Sequence, residues 1–221
     1  MDFDSIKKQI EKYREEGKSL FSTSSFQTHS VVLLHIISRI DKTIPIFFVN
    51  TGYHFPETME YKDRIIKEFG LDVFNLTPMV PKNLQVDDAG RLLFTSDPDY
   101  CCFLNKIQPV SLVLYLHDIW INGIRADQTA FRTSMGIEEP APQNTVRFHP
   151  MLDWTGKMVY DYIKKHDLPM HPLEHKGYVS VGCEPCTRLD LDGGRKGRWY
   201  GMNKTECGIN TDLVIKENNN S

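Results

Sequence analysis

The chain has 221 residues, of which 40% are hydrophobic and 25% are charged, and this composition is that of an ordinary globular protein. It excludes a disordered or fibrous protein, and the length suffices to bury a sizeable core in one domain. The formal net charge of -3 gives no global positive field, so we do not expect non-specific binding to nucleic acid or to an anionic membrane. Recognition of an anion would therefore have to be local.

The beginning of the chain has no pattern of a targeting segment. Residues 1–19 are charged and follow the pattern of an amphipathic helix, without the apolar stretch of a secretory signal. The longest apolar stretch, 31–37, is interrupted by His35 and is far too short to span a bilayer. We therefore expect a soluble protein of the cytoplasm that does not associate with membranes.

The predicted elements, in chain order, alternate as in an α/β fold. The first part of the chain predicts a helix at 1–19, a strand at 20–24, a helix through 31–37, a strand at 45–49, a helix at 56–70 and a strand at 71–76. A long irregular connection at 80–100 is followed by a helix at 110–117, a strand at 118–124 and a helix at 155–166. We predict one domain over 1–221, with a mainly parallel sheet, helices on both faces, and an irregular C-terminal segment that is mobile from residue 190 onward.

Four of the five cysteines form a pattern that is typical of metal sites. The adjacent Cys101 and Cys102 and the later C-x-x-C pair, Cys183 and Cys186, supply enough thiolates for a tetrahedral zinc ion or an iron–sulfur cluster. Adjacent cysteines suit zinc poorly, because its ligands are usually separated by roughly two to four residues, so the pattern favours a cluster. The alternatives are that these cysteines are buried apolar side chains or that the C-x-x-C is a thioredoxin-like redox pair.

The fifth cysteine, Cys207, lies in a polar segment near the end of the chain. Its thiolate would be the best nucleophile of the chain at neutral pH if nearby cations lower its pKa, and the alternative is an unreactive surface cysteine. Such cations occur in the same region at Arg188, Arg195, Lys196, Arg198 and Lys204. They would also bind phosphate or sulfate oxygens, although a run of charges equally describes a solvated face.

Two further segments have the composition of an anion site. Residues 24–30, which include Ser24 and Ser25, supply hydroxyl and backbone N–H groups at the start of a predicted helix and would cradle a phosphate; a simple helix cap has the same composition. Arg125 follows a predicted strand, where ligands of open α/β sheets bind, and a surface salt bridge with Asp127 is the alternative. The sequence lacks the GxxxxGK pattern of a Walker loop.

Five motifs spread over nearly the whole chain resemble the assimilatory sulfonucleotide reductases and follow the order of that family. They are STSSF at 22–26, NTGYHFPET at 50–58, GIRADQ at 123–128, HPMLDW at 149–154 and ECG at 206–208. The resemblance implies an adenine-nucleotide α-hydrolase-like fold with a modified phosphate loop. It also implies reduction of adenylyl sulfate (APS) or of its 3′-phosphorylated form (PAPS).

The resemblance assigns roles to individual residues. A Cys-Cys pair with a C-x-x-C marks the family members that carry a [4Fe–4S] cluster, which mostly reduce APS, and Cys101, Cys102, Cys183 and Cys186 match this set. Lys106 matches a family lysine that links the cluster electrostatically to the substrate. Further substrate contacts are expected at Ser24, Ser25, Phe26, Thr51, Gly52, Arg125, Arg188, Arg195 and Arg198. The chain departs from the family at Asn210, where a histidine is usual.

The resemblance also implies a mechanism in which Cys207 attacks the sulfur of APS. AMP would leave, and thioredoxin or glutaredoxin would resolve the Cys207 S-sulfo intermediate to release sulfite. A homo-oligomer is compatible with the sequence. The alternatives are a PAPS reductase or dual-specificity enzyme, an ATP-pyrophosphatase-type ligase of the same fold, and a non-enzymatic zinc-binding module.

Overall fold

The computed structural model describes residues 1–189, 197–202, 204 and 206–215, and its centre is a six-stranded sheet. The strands are β1 (Leu20–Ser24), β2 (Ile46–Val49), β3 (Val73–Leu76), β4 (Ile119–Ile121), β5 (Glu138–Pro140) and β6 (Val146–Phe148). The sheet has the order β3-β2-β1-β4-β6-β5, and all neighbours are parallel except β5, which is antiparallel to β6. The predicted mainly parallel sheet is confirmed.

Helices lie on both faces of the sheet, as predicted. They are α1 (Phe3–Glu15), α2 (Thr28–Ile40), α3 (Pro56–Phe69), α4 (Leu93–Ser96), α5 (Pro98–Cys102), α6 (Gln108–Leu114), α7 (Ala130–Thr133), α8 (Gly156–Lys165) and α9 (Gly208–Thr211). A π-helical turn (Phe103–Ile107) joins α5 to α6. In the described ranges, none of the helices has the length and apolar character needed to cross a bilayer.

Alternating side chains of the strands contribute to two hydrophobic clusters, one on each face of the sheet. On one face, Leu20 and Ile119 pack in a cluster with residues of α1, α2, α3 and α8. On the other face, Phe21 and Trp120 pack with residues of α6, and their rings are stacked with centroids 5.9 Å apart. Leu213 belongs to this second cluster and is 4% exposed, so the last described part of the chain packs on the body.

Local chemistry explains the element boundaries that the sequence predicts. α3 begins at Pro56, whose missing N–H costs nothing in the first turn, and ends at Gly70, which has the left-handed φ of 63° that glycine adopts readily. α8 is capped by Thr155, whose hydroxyl accepts the backbone N–H of Met158. The predicted β1, β2 and β3 are likewise present within two residues of the expected bounds.

The structure differs from the predicted elements in several places. The predicted strand at 118–124 is present only as β4, Ile119–Ile121. The connection at 80–100 contains α4 and the start of α5, and the predicted helix at 110–117 is the end of a helical run that begins at Pro98. Asp97 caps the start of this run, because its side chain accepts the backbone N–H of Tyr100. Polar residues along the run interrupt the apolar periodicity from which a helix is predicted. The sequence does not predict β5 and β6, because each strand is three residues long and contains a charged residue, such as Arg147 in β6.

Part of the predicted mobile segment falls on residues that the structure does not describe. These are 190–196, 203, 205 and 216–221. The predicted mobility therefore stays a prediction.

The strand order reverses at β1, which lies between β2 and β4. Ligands of open α/β sheets bind at such a reversal, outside the carboxyl ends of the strands. Here those ends are Ser24, Val49 and Ile121. The fold therefore directs attention to the loops that follow these three residues.

Candidate active site

A cavity of about 520 Å³ opens at the carboxyl edge of the sheet, a size typical of small-molecule sites. Its walls come from the loops after β1 and β4, the end of β2, the π-helical turn and the C-terminal segment. The predicted site residues that line it are Ser24, Ser25, Lys106, Arg125, Cys183, Arg198 and Cys207. The structure thus brings together residues that lie far apart in the sequence.

The loop after β1 presents hydroxyl groups at the start of α2, a helix of 13 residues. Ser25 Oγ lies 3.4 Å from Ser30 Oγ and accepts a hydrogen bond from Gln27 Nε2 at 3.2 Å. Ser24 Oγ accepts the backbone N–H of Phe26 at 3.1 Å. Because unpaired N–H groups in the first turn of a helix carry partial positive charge, this loop suits a phosphate group.

The Phe26 side chain packs in the core beneath the loop after β1 and does not line the cavity. Its ring is fully buried and meets the ring of Phe48 edge to face, with centroids 5.6 Å apart. Its φ of 50° lies in the left-handed region, which is unusual for a large side chain, and turns the chain from β1 into α2. The Phe26 side chain belongs to the core, and its predicted substrate contact stays a prediction.

Arg125 contributes a buried guanidinium to the cavity wall in the loop after β4. It is 4% exposed, its Nε donates to Asp127 Oδ1 at 3.0 Å, and its Nη1 lies 2.9 Å from His29 Nδ1. Asp127 also accepts the backbone N–H of Gly156 at 2.7 Å. The ion pair with Asp127 is present, with the arginine side buried, and it fixes the guanidinium at the cavity wall. The contact of Arg125 with a ligand stays a prediction.

Arg198 lines the same cavity from the C-terminal part of the chain. It is 9% exposed, its Nη1 donates to the Val181 carbonyl at 3.2 Å, and its guanidinium carbon lies 4.5 Å from the centre of the Trp199 ring. Gly182 provides the space for this packing, since a Cβ at that position would lie 2.3 Å from Arg198 Nη2. The position of the arginine therefore depends on the absence of a side chain at Gly182.

Lys106 stands between the large cavity and a smaller one that cysteines line. It belongs to the π-helical turn between α5 and α6. Burial acts to lower the pKa of Lys106, but the negative charge of neighbouring thiolates, that of Cys183 first, outweighs burial and raises it. The side chain is therefore a cation that faces both cavities.

The four cysteines predicted to bind metal line the smaller cavity together. Cys101, Cys102, Cys183 and Cys186 are all buried, and none of them forms a disulfide. Burial raises the pKa of Cys101 to about 12 and that of Cys186 to about 11. Among the described residues, no group of three or more His, Cys, Asp or Glu side chains is arranged to hold a metal ion. The structure therefore brings the four thiols to one place but does not establish a metal site.

Several polar atoms around the smaller cavity fit an electron-rich sulfur group. The Tyr53 hydroxyl and Trp199 Nε1 are buried without a hydrogen-bond partner in the described part of the chain, and both side chains pack in a cluster with Cys183 and Cys186. Thr51 Oγ1 lies 3.4 Å from the sulfur of Cys183. Because buried donors normally find acceptors, this surrounding suits a group that offers acceptor sulfur atoms.

Other predicted contacts lie away from the large cavity. Thr51 is buried on the side of the cysteines, whereas Gly52 is exposed in a turn and its carbonyl accepts a hydrogen bond from Lys82 Nζ at 3.0 Å. Arg188 is exposed and donates to a neighbouring backbone carbonyl at 3.0 Å. Arg195 lies outside the described residues. In this conformation neither Gly52 nor Arg188 reaches the cavity, and their substrate contacts stay predictions.

Cys207 is half-buried on the wall of the large cavity. It also packs against the cluster that contains Tyr53, Cys183 and Trp199, so it lies where the two cavities approach each other. Its backbone N–H donates to Glu206 Oε1 at 3.0 Å. The thiol therefore shares one space with the phosphate loop and the buried cations.

Sequence reasoning misses Arg132, which lies in α7 and also lines the cavity. Its guanidinium binds both carboxylate oxygens of Glu206, with Nη2 2.7 Å from Oε1 and Nε 2.9 Å from Oε2. Arg132 lies in a short helix that follows the loop of Arg125, and this proximity is the one signal that the sequence offers. Nothing in the sequence distinguishes it from an arginine on a solvated face.

Comparison with curated proteins gives a family for the chain. Phosphoadenosine phosphosulfate reductase domains match residues 19–189. An adenosine 5′-phosphosulfate reductase of Chelativorans sp. (strain BNC1) is 38% identical over 204 residues, which are 90% of this chain and 82% of that protein. A phosphoadenosine 5′-phosphosulfate reductase of Gloeobacter violaceus is 36% identical over 87% of this chain and 83% of its own length.

Comparison with solved structures agrees on the fold. A phosphoadenylyl-sulfate reductase from Candida auris superposes with a TM-score of 0.64 at 20% identity, over 82% of this chain and 94% of that one. An FMN adenylyltransferase from Candida glabrata superposes with a TM-score of 0.59 at 13% identity, over 91% and 67%. These likenesses concern architecture, and they confirm the predicted adenine-nucleotide α-hydrolase-like fold.

Proposed function

The chain belongs to the family of phosphoadenosine phosphosulfate reductase domains, and on this basis we propose that it reduces adenylyl sulfate to sulfite and AMP in sulfate assimilation. The observation that carries the proposal is the position of Cys207 on the wall of the large cavity. The loop after β1 and the guanidinium groups of Arg125 and Arg198 line the same cavity. A nucleophile, a phosphate cradle and cations thus meet in one space.

The substrate would bind with its phosphate at the loop 24–30 and its sulfate near the cations. The first turn of α2 and the hydroxyls of Ser24 and Ser25 suit the phosphate. Lys106 and the two buried arginines would stabilise the oxygens of phosphate and sulfate as negative charge moves between them. Fixed donors in a partly enclosed cavity do this more effectively than water, since they need no reorganisation.

The chemical step begins with the thiolate of Cys207 attacking the sulfur of APS. A sulfur–sulfur bond forms, the bond from sulfur to the phosphate oxygen breaks, and AMP leaves with the electron pair. A dithiol partner, thioredoxin or glutaredoxin, then attacks Cys207 Sγ, and sulfite leaves with the electron pair of the sulfur–sulfur bond. The second thiol of the partner resolves the mixed disulfide and restores Cys207, so both electrons come from the partner.

We further propose that Cys101, Cys102, Cys183 and Cys186 hold a [4Fe–4S] cluster in the smaller cavity. The convergence of these four thiols and the unpaired donors beside them support the proposal. When bound, the cluster would supply a fixed charge and a structural tie between α5 and the segment 183–186. Lys106, which faces both cavities, would hold its ammonium group between the cysteines and the sulfate.

The preference for APS rests on the four cysteines, through the resemblance noted above. A second candidate is reduction of PAPS, or of both nucleotides, because the Gloeobacter relative that carries that name is almost as similar as the Chelativorans relative. Initial rates of sulfite release with each nucleotide, at equal concentrations, distinguish the candidates. A higher kcat/KM with PAPS would overturn the preference for APS.

The partner and the compartment follow from the thiol chemistry. Five free cysteines in the described residues suit a reducing compartment, and we place the protein in the cytoplasm. A thioredoxin or glutaredoxin of that compartment would supply the dithiol. The homo-oligomer stays a prediction.

The proposal is tested on protein purified without air. We expect about four irons and four sulfides per chain, with broad absorbance at about 400 nm, and release of sulfite from APS in the presence of thioredoxin. Cys207→Ser should keep the iron and lose sulfite formation. Normal turnover by Cys207→Ser would refute the nucleophile, whereas a colourless protein with one zinc or no metal would refute the cluster alone.

A further inference from the structure

The segment that carries Cys207 is held on the body by a buried ion pair. The guanidinium of Arg132 donates to both carboxylate oxygens of Glu206, and the side chains of Arg132 and Glu206 are only 9% and 5% exposed. Glu206 also accepts hydrogen bonds from Thr129 Oγ1 at 3.1 Å, Asn210 Nδ2 at 3.1 Å and the backbone N–H of Cys207 at 3.0 Å. Burial alone would raise the pKa of Glu206, but Arg132 and the other donors outweigh it and hold the pKa at about 2. The carboxylate is therefore charged and fully engaged.

A second buried arginine holds the same segment. Arg147 lies in the middle of β6, is fully buried, and stacks on the Trp120 ring with its guanidinium carbon 4.6 Å from the ring centre. In the described residues, both hydrogen bonds of its guanidinium group go to the Cys207 segment: Nη2 donates to Asn210 Oδ1 at 3.2 Å and Nη1 to the Ile209 carbonyl at 3.4 Å. Since a buried cation without acceptors is strongly unfavourable, the body itself favours the docked segment.

The docked segment also makes a close backbone contact beside Lys106. A Cβ on Gly208 would lie 2.6 Å from Cδ1 of Ile107, the last residue of the π-helical turn that carries Lys106. A larger residue at this position would have to displace the Ile107 side chain. The two arginines and this contact therefore determine where Cys207 stands relative to Lys106 and the cavity.

We propose that Glu206 is a positioning residue: together with Asn210 it latches the Cys207 segment onto Arg132 and Arg147 for the step in which sulfur is transferred to Cys207. This inference rests on the proposed function and deepens it. Glu206 need not touch the substrate, because it acts through the backbone of the residue that follows it. Asn210 completes the latch, since its amide donates to Glu206 and accepts from Arg147 at the same time.

The two halves of the reaction place opposite demands on this latch. Attack on the substrate needs the thiol at the cavity wall. Holding the thiol there lowers the entropic cost of bringing it to the sulfur of the substrate. Attack by a protein dithiol on Cys207 Sγ needs the sulfur exposed, whereas the docked cysteine is half-buried. The latch therefore favours the first half only, and its loss should slow AMP release without slowing the release of sulfite.

The first test measures the docking itself, without substrate. Glu206→Gln keeps the shape of the side chain but removes the charge, and Asn210→Ala removes the link to Arg147. Iodoacetamide labelling of Cys207 in the intact holoprotein, followed by mass spectrometry of its peptide, should be about fivefold faster or more in each variant, because local opening exposes the thiol. The matched control is Glu68→Gln, which removes a surface carboxylate paired with Arg64 on α3 and should label like the wild type.

The second test separates the two half-reactions. With enzyme in excess over APS and no reductant, Glu206→Gln should release AMP about tenfold more slowly or worse, as expected when a reacting group loses its orientation. Sulfite release by thioredoxin from the preformed Cys207 S-sulfo protein should be at least as fast as in the wild type. Thermal unfolding verifies that each variant is folded, and Asn210→Ala provides the labelling result if Glu206→Gln is not.

The outcomes distinguish this inference from the proposed function. A wild-type protein that releases no AMP from APS would refute the function, whatever the labelling shows. Unchanged labelling in both variants would overturn the latch while leaving the function intact. Faster labelling with unchanged AMP release would also overturn it, because the docking would then have no part in sulfur transfer.

Discussion

Replacing Gly182 with alanine should displace Arg198 from the cavity without touching the arginine itself. The added Cβ would lie 2.3 Å from Nη2 and 2.5 Å from Cζ of Arg198. Gly182 is held by a hydrogen bond from its N–H to Thr187 Oγ1 at 3.2 Å, so the backbone resists moving and the guanidinium must leave. We expect the variant to keep its fold and to lose one cationic contact with the substrate.

The magnitude follows from the kind of contact that is lost. A hydrogen bond to a charged group contributes about 1.5–3 kcal/mol, so kcat/KM for APS should fall roughly 10- to 150-fold. Initial rates of sulfite release at varied APS concentration, with thioredoxin saturating, measure this. The control is Glu68→Gln, a change on the exposed face of α3 away from both cavities, which should leave kcat/KM unchanged.

A double-mutant cycle with Arg198→Ala tests the reasoning directly. If Gly182→Ala acts only by moving the arginine, it should add almost nothing once the guanidinium is gone. The reasoning is refuted if Gly182→Ala leaves kcat/KM unchanged. A full loss of kcat/KM from Gly182→Ala in the Arg198→Ala background would refute it equally, since the substitution would then act on something other than the arginine.

Three further predictions concern other parts of the site. Phe26→Ala should lower the free energy of unfolding by about 3–5 kcal/mol in urea, since its ring fills the core; a stable variant with a raised KM would show a substrate contact instead. Arg188→Ala should leave kcat/KM for APS within about twofold of the wild type if the arginine stays where it is, since its exposed guanidinium donates to the backbone carbonyls of Glu184 and Thr187 among the described residues; a tenfold loss would instead support the substrate contact that the sequence predicts. The pKa of Glu206, lowered from 4.5 to about 2, stabilises the fold by on the order of 3 kcal/mol above pH 4.5, and this contribution is lost as the pH falls toward 2. The stability difference between wild type and Glu206→Gln, from chemical denaturation, should therefore shrink between pH 7 and pH 3, and a constant difference would argue against the ion pair.

The elements that the sequence predicts correctly are those whose signals are local. Pro56 and Gly70 bound α3 because the residues themselves have the backbone geometry that a helix start and a helix end require. β6 shows the opposite case. Arg147 looks like a surface residue, yet it is buried because Trp120 and the segment around Asn210 surround it, and they come from distant parts of the chain. No local pattern can reveal such a partner.

The candidate site shows the same difference between residues with a local signal and residues whose role depends on distant partners. The cysteines, Lys106, Arg125 and Cys207 are chemically unusual or lie in motifs, and the structure brings them to two adjoining cavities. Phe26 also belongs to a motif, but its side chain packs in the core, so a motif alone does not tell which of its side chains face the cavity. Arg132 has no motif of its own, because its role depends on the carboxylate of Glu206, which lies 74 residues further along the chain.

The π-helical turn at Phe103–Ile107 makes the spacing between the cysteine pair and Lys106 intolerant of insertions and deletions. A π-helical turn holds about one residue more than an α-helical turn, so side chains within it point in other directions than they would in an α-helix. Shortening the turn by one residue would restore an ordinary helix, and Lys106 would point away from the boundary that it now occupies between the two cavities. Homologous chains that keep this lysine should therefore vary in composition across 103–107 but not in length.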